Sequence, residues 1–458
     1  MSLQVSPMVP IPTETARVAH AAFPKGTLCL QIRDRLGPLY EDAQFVALFS
    51  HTGQPAEAPA RLALVLILQF AEGVSDRQAA EAVRGRIDWT YALALDLTDP
   101  GFDASVLSEF RTRLVQGGAA ALLLEPLLQQ LEAHDLLKAR GTQRTDSTHI
   151  LAAIRTLNRL ELVGATMRYA LNRLAVAAPA WLQAHLHSAW GERYSHRVEH
   201  YRLPTTDAER QQLAATIGAD GFVLLQAAYA PEAPPAVREA PAIEVLRQIW
   251  IQQYYGPGDP PRWRQEPDVP PAAQLIHSPY DLDARSSIQY GSAWVGYKAH
   301  ATETCDDETP HGITHVETTP ATTPDDHMLE PIHAALATQA RLPREHLVDC
   351  GYTDAATLVE SAHNYGVHIV GPVAADPSWQ AREGTGYDQS AFTMHWAAHT
   401  ATCPHGKQSR KWQPERDVAG QEVIKIRFAH KDCRACPVRA AWTRAHTEPR
   451  TLTVRTQV

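Results

Sequence analysis

The 458-residue chain is 44% apolar and 20% charged, with a formal net charge of −9 at pH 7, a globular composition that excludes disordered and fibrous classes. Its longest apolar run, Leu62–Leu68, is far shorter than the ~20 residues that span a bilayer, and the first residues lack the basic start and apolar core of a signal peptide. Six scattered cysteines do not make a disulfide framework, so a cytoplasmic, non-membrane protein is expected.

Residues 1–37 read as a loose leader, and residues 38–135 as an all-α domain. Within it, an apolar helix runs from about Ala60 to Ala71, Gly73 makes a turn, Ser75 caps, and a second helix reaches about Val83. This is helix–turn–helix spacing. The second helix and its end offer Arg77, Gln78, Arg84 and Arg86, side chains suited to phosphates and base edges; an ordinary helical hairpin fits the same spacing.

β-Branched character begins near Asp146, in "TDSTHI". A helical insertion follows over about 157–270, broken by Pro-rich loops. "SAWVGYKAHATETC" and "GITHVETTPAT" read as neighbouring strands joined by the acidic loop Asp306–Pro310. A helix around His327–Gln339 leads into "LVDCGYTD", where an apolar strand runs directly into Asp349, and "VHIVGPV" reads as a further strand. The region 140–400 is therefore α/β with a large helical insertion. Carboxylates at the carboxyl ends of buried strands are common sites of ligand or metal chemistry, which singles out Asp146 and Asp349, with Asp354 as the N-cap of the helix that follows. Lys298, in "GYKAH", is a candidate for reaching DNA phosphate, and a snorkelling surface lysine is the plainer alternative. Trp181, Trp190, Trp250, Trp263 and Trp294 read as packing residues.

The tail 401–458 is small, Cys-containing and basic, with 12 Lys/Arg against five Asp/Glu. A local basic face suits phosphate contacts whatever the total charge. Cys403, Cys433 and Cys436 have Cys…CxxC spacing. With His405 or His430 as fourth ligand they would make a structural Zn²⁺ site; otherwise they are inert thiols.

"TDSTHI", "SPYDLDARSSIQYGSAWVGYKAH" and "LVDCGYTD", preceded by "GQPAEAPARLALVLILQFAEGVSDRQAAEAVRGRIDW", together resemble the insertion-sequence DDE transposases. The resemblance implies a ribonuclease-H-like core in which two Asp and a Glu hold two Mg²⁺ or Mn²⁺ ions for phosphoryl transfer on DNA. It places Asp146 at the first acid and Asp349 at the second, and it implies a homo-oligomer on transposon-end and target DNA. The family's Glu follows the cysteine-rich stretch, where this chain ends in "EPRTLTVRTQV"; its further cysteine stands where this chain has Trp442. Glu303, Glu317 and Asp326 lie near predicted strand ends but match no family position. The expectation is the transposase of an insertion sequence, which binds element-end DNA and in the full-length family cleaves and transfers DNA strands with divalent metal, here in a chain that stops before its third acid and so binds DNA without cutting it. Its rival reading is a non-catalytic DNA-binding remnant or repressor.

Overall fold

The computed structural model describes residues 2–5, 10–155, 157–198, 203–257, 260–289, 291–372, 376, 378–384, 387–417, 422–445 and 447–455. The chain divides into two compact units, Met1–Gln143 with Glu303–Thr314, and Arg144–Thr302 with His315–Val458.

The first unit is chiefly helical. Its central helix, Pro59–Glu72, starts on a proline that needs no amide partner. It ends at Gly73, whose left-handed φ of 64° closes the turn. The next helix, Asp76–Gly85, is nucleated by a reciprocal capping box between Ser75 and Gln78. Leu62, Val65 and Leu66 bury the inner face with Phe45, Trp89 and Phe110. Within the leader expected over residues 1–37 lie two helices, Thr13–Ala22 and Leu28–Leu36, which bury Ala19 and Leu30 against Tyr91. Thr15 Oγ1 donates to the Leu95 carbonyl at 2.9 Å. Helices of ten and nine residues leave little periodic signal, and contacts distant in sequence hold them.

The second unit is built on a mixed sheet. Its strands are β1 (Thr142–Leu151), β2 (Arg285–Gln289), β3 (Ser292–Thr304), β4 (Ile313–Pro320), β5 (Glu345–Val348) and β6 (His368–Val370). The order is β2-β3-β1-β5-β6, with β4 also on β3, so β1 is central. β2 and β3 pair antiparallel, β5 and β6 parallel. Helix Leu329–Thr338 covers β5 through Leu329, Ile332 and Leu336, which pack with Val348 and Tyr352.

Between β1 and β2 lies a helical insertion whose longest helices are Arg159–Ala177, Asp207–Ala228 and Pro241–Gln253. It has its own core, centred on Met167, Leu174, Trp190, Ile249, Trp250 and Tyr254. Gly218 and Gly221 admit the Tyr254 and Trp250 rings; a Cβ at Gly221 would lie 2.2 Å from Trp250. After β6 the chain forms the hairpin β7 (Thr393–His395) and β8 (Thr400–Thr402), then a separate sheet. That sheet comprises β9 (Ser409–Arg416), β10 (Glu422–Phe428) and β11 (Thr451–Arg455), in the order β11-β10-β9. Among the described residues no helix is long and apolar enough to cross a membrane.

Candidate functional site

Asp146 lies on central β1, and Asp349 immediately follows the last residue of neighbouring β5. Both are exposed, and each is oriented by a local bond. Asp146 Oδ1 accepts the Ser147 amide at 2.7 Å, and Asp349 Oδ1 accepts the Gly351 amide at 2.9 Å. Beyond this turn, Asp354 caps the next helix by accepting from the Thr357 amide at 2.7 Å.

A third carboxylate, which sequence reasoning passed over, stands beside them. Asp325 opens a single 3₁₀ turn, Asp325–His327. A Cβ built on Gly351 would lie 3.1 Å from Asp349 Oδ1 and 3.4 Å from Asp325 Oδ2. A side chain at Gly351 would therefore crowd Asp349 and touch Asp325, so the glycine lets both acids approach this turn. Ser147, next to Asp146, directs its hydroxyl to Asp325 Oδ2 at 3.4 Å. Asp326, the neighbour singled out in the sequence, instead has an Oδ1 that is buried without a partner.

Lys298 does not project into solvent to meet phosphate. Its side chain is 12% exposed and its ammonium contacts Asp325 Oδ1 at 2.8 Å and the Thr323 carbonyl at 3.0 Å. A long cationic stem on β3 finds an acid within reach before it finds water. Beneath lies the buried Tyr352, whose hydroxyl is 2.6 Å from His300 Nδ1. Burial raises the Tyr352 pKa above the usual phenol range. The charge of Asp325 adds to this, as do those of Asp146 and Asp349, while a bond from Ser147 acts the other way. Three aspartate charges therefore act on one hydroxyl.

The floor of the sheet is pinned next to Asp146. Thr145 Oγ1 meets Thr302 Oγ1 at 2.7 Å and His346 Nε2 at 2.6 Å, and His346 Nδ1 meets His333 Nε2 at 2.8 Å. All four side chains are buried. Desolvation lowers the His333 pKa to about 4. It lowers that of His346 to about 3, with the neighbouring His333 adding to the effect.

The helix–turn–helix residues differ in availability. Arg77 is 86% exposed and makes a 3.4 Å pair with Glu81. Gln78 is turned back into the capping box, and Arg84 Nη2 donates to the Phe102 carbonyl at 3.2 Å. Arg86 is bound between Glu72 and Asp88, so acids within the unit already neutralise its charge. Arg77 and Arg84 are thus exposed, and Arg86 is half-buried.

Cys403, Cys433 and Cys436 line one cavity of about 230 Å³ with His405 and Trp442 on its wall. Cys403 Sγ accepts from the Lys407 amide at 3.4 Å, and Cys433 Sγ from the Arg450 amide at 3.5 Å. His405 faces Tyr387, with its Nε2 3.2 Å from the hydroxyl. His430 is exposed and lines a different notch. Among the described residues no group of three His, Cys, Asp or Glu side chains already stands at metal-ligand spacing. The donor chemistry nonetheless fits two kinds of ion: hard carboxylate oxygens near Gly351 for a divalent cation, and soft sulfurs around the cysteine cavity for zinc.

Comparison with known proteins adds two findings. A transposase domain (DUF772) matches residues 17–113, and a transposase DDE domain matches residues 402–458. No curated protein and no solved structure matches the chain. Two transposase domain matches in order along one chain indicate a transposase. Within that class, the two matches support an insertion-sequence DDE transposase. Asp146, Asp325 and Asp349 lie outside both matched segments.

Proposed function

We propose that the chain cleaves and joins DNA at the ends of an insertion element, with Asp146, Asp349 and Asp325 as the acids that hold divalent metal, Mg²⁺ or Mn²⁺. The observation that carries this reading is the approach of Asp349 and Asp325 to Gly351, just past the end of β5, the neighbour of the strand that bears Asp146. When bound there, such an ion supplies Lewis-acid activation of water or a 3′-hydroxyl and stabilises the departing oxygen. The chain's own residues supply position. β1 and β5 fix Asp146 and Asp349 on adjacent strands, Ser147 steers Asp325, and Lys298 balances its charge. The ribonuclease-H-like reading of this mixed sheet belongs to the same proposal, as do recognition of DNA by the helix–turn–helix through Arg77 and assembly as a homo-oligomer on DNA. Asp325 changes the expectation drawn from sequence, because a third acid is now at hand within the chain.

The test is strand cleavage of element-end DNA by the 458-residue chain in Mg²⁺ or Mn²⁺. Cleavage that Asp146→Asn and Asp349→Asn each abolish, and Asp325→Asn greatly reduces, is expected. Absence of cleavage by the parent chain, or cleavage that survives the first two substitutions, would overturn the assignment.

A further inference from the structure

The separate sheet β9–β11 has two ends of different electrical character. At one end charges pair: Lys425 meets Glu415 at 2.9 Å and Arg416 meets Glu422 at 3.8 Å. At the other end Lys411 lies directly opposite Arg427 in the antiparallel register. Like charges in that position repel, and among the described residues neither has a carboxylate partner. The ladder is irregular just there, between Arg427 and Phe428, where β10 pairs next with Ser409 and leaves Arg410 as the extra residue. Beside it is a shallow notch lined by Arg410, His430, Lys431 and Arg434. All six of these basic side chains are exposed. The acid nearest in sequence, Asp432, lines the cysteine cavity and not the notch.

We infer that this basic end of the β9–β11 sheet is a nucleic-acid contact that grips the phosphate backbone without reading sequence. Uncompensated cations on a strand pair and an adjoining short helix suit a ligand carrying several regularly spaced charges. Arginine forks and flexible lysines bind phosphate oxygens and release counterions as they do so. DNA is chosen over an acidic protein on the strength of the proposed action on DNA. The surface lies apart from the helix–turn–helix in sequence, so it adds affinity and leaves the choice of site to other residues.

The experiment uses the full chain and two labelled duplexes, one element-end and one random, titrated across a range of salt. The double variants Arg410→Ala/Arg434→Ala and Lys411→Ala/Arg427→Ala are compared with the parent and with Arg77→Ala. Each double variant is expected to weaken both duplexes equally and to flatten the slope of log affinity against log salt by about 2. Arg434→Lys should largely retain binding. Thermal unfolding of the Lys411→Ala/Arg427→Ala variant should be no easier than that of the parent, since a repulsion is removed. Parent-like affinity and slope in both double variants, with Arg77→Ala weakened, would overturn this surface while sparing the DNA reading. A parent chain that binds neither duplex would overturn both. Weakening confined to the element-end duplex would overturn the claim of sequence-independent grip.

Discussion

Acidification should loosen the sheet beneath Asp146 well before it unfolds the rest of the protein. His333 and His346 are fully buried, share one hydrogen bond, and hold Thr145 through His346 Nε2. Their pKa values are lowered from 6.5 to about 4 and about 3. The sign follows from linkage. Near pH 6.5 and below, the unfolded chain takes up protons on both rings while the folded sheet does not, so the stability they allow is present above that pH and is lost as pH falls. Each ring costs ~1.4 kcal/mol per pH unit in that window, or ~5 kcal/mol for the pair between pH 7 and pH 4.5. Hydrogen–deuterium exchange of β1 and β5 peptides, corrected for the intrinsic rate at each pH, measures this local opening directly. His333→Gln keeps an amide donor for His346 Nδ1 but removes one titrating ring. Its pH slope should therefore be shallower than the parent's by ~1.4 kcal/mol per unit. Equal slopes in parent and variant would refute the reasoning.

Other consequences follow from the same geometry. Arg86→Ala strips the cation from Asp88, whose side chain is 5% exposed, and should destabilise the helical unit by roughly 2 kcal/mol in urea unfolding. Arg77→Ala should leave that stability unchanged and weaken DNA binding. Protein purified without chelator should carry about one zinc per chain by metal analysis, lost in Cys433→Ser, because three soft ligands and a histidine line one cavity. Zinc-free protein would leave the three cysteines as packing residues.

What was legible in the sequence had local causes. Gly73 and Ser75 announce a turn and a cap within four residues of each other, and the structure ends and restarts its helices there. The apolar run into Asp349 and the β-branched residues around Asp146 mark strands, which the fold sets side by side. The tryptophans read as packing residues include Trp190 and Trp250, both buried in the insertion core. What escaped depends on partners distant in the chain. Asp325 sits in a single 3₁₀ turn with no periodicity, and its contacts with Lys298, Ser147 and Gly351 are all distant in sequence. Arg86 looks like a DNA contact until Glu72, fourteen residues earlier, closes on it. The like-charged pair Lys411–Arg427 becomes visible only once the β9–β10 register is known.

The central claim, that Asp146, Asp325 and Asp349 hold a divalent cation, is tested most directly by Mn²⁺ titration followed through the electron paramagnetic resonance of the free ion. The parent chain should bind Mn²⁺, and Asp146→Ala, Asp325→Ala and Asp349→Ala should each weaken that binding by about tenfold or more. Binding that is absent in the parent, or unchanged in the Asp146→Ala and Asp349→Ala variants, would contradict the account.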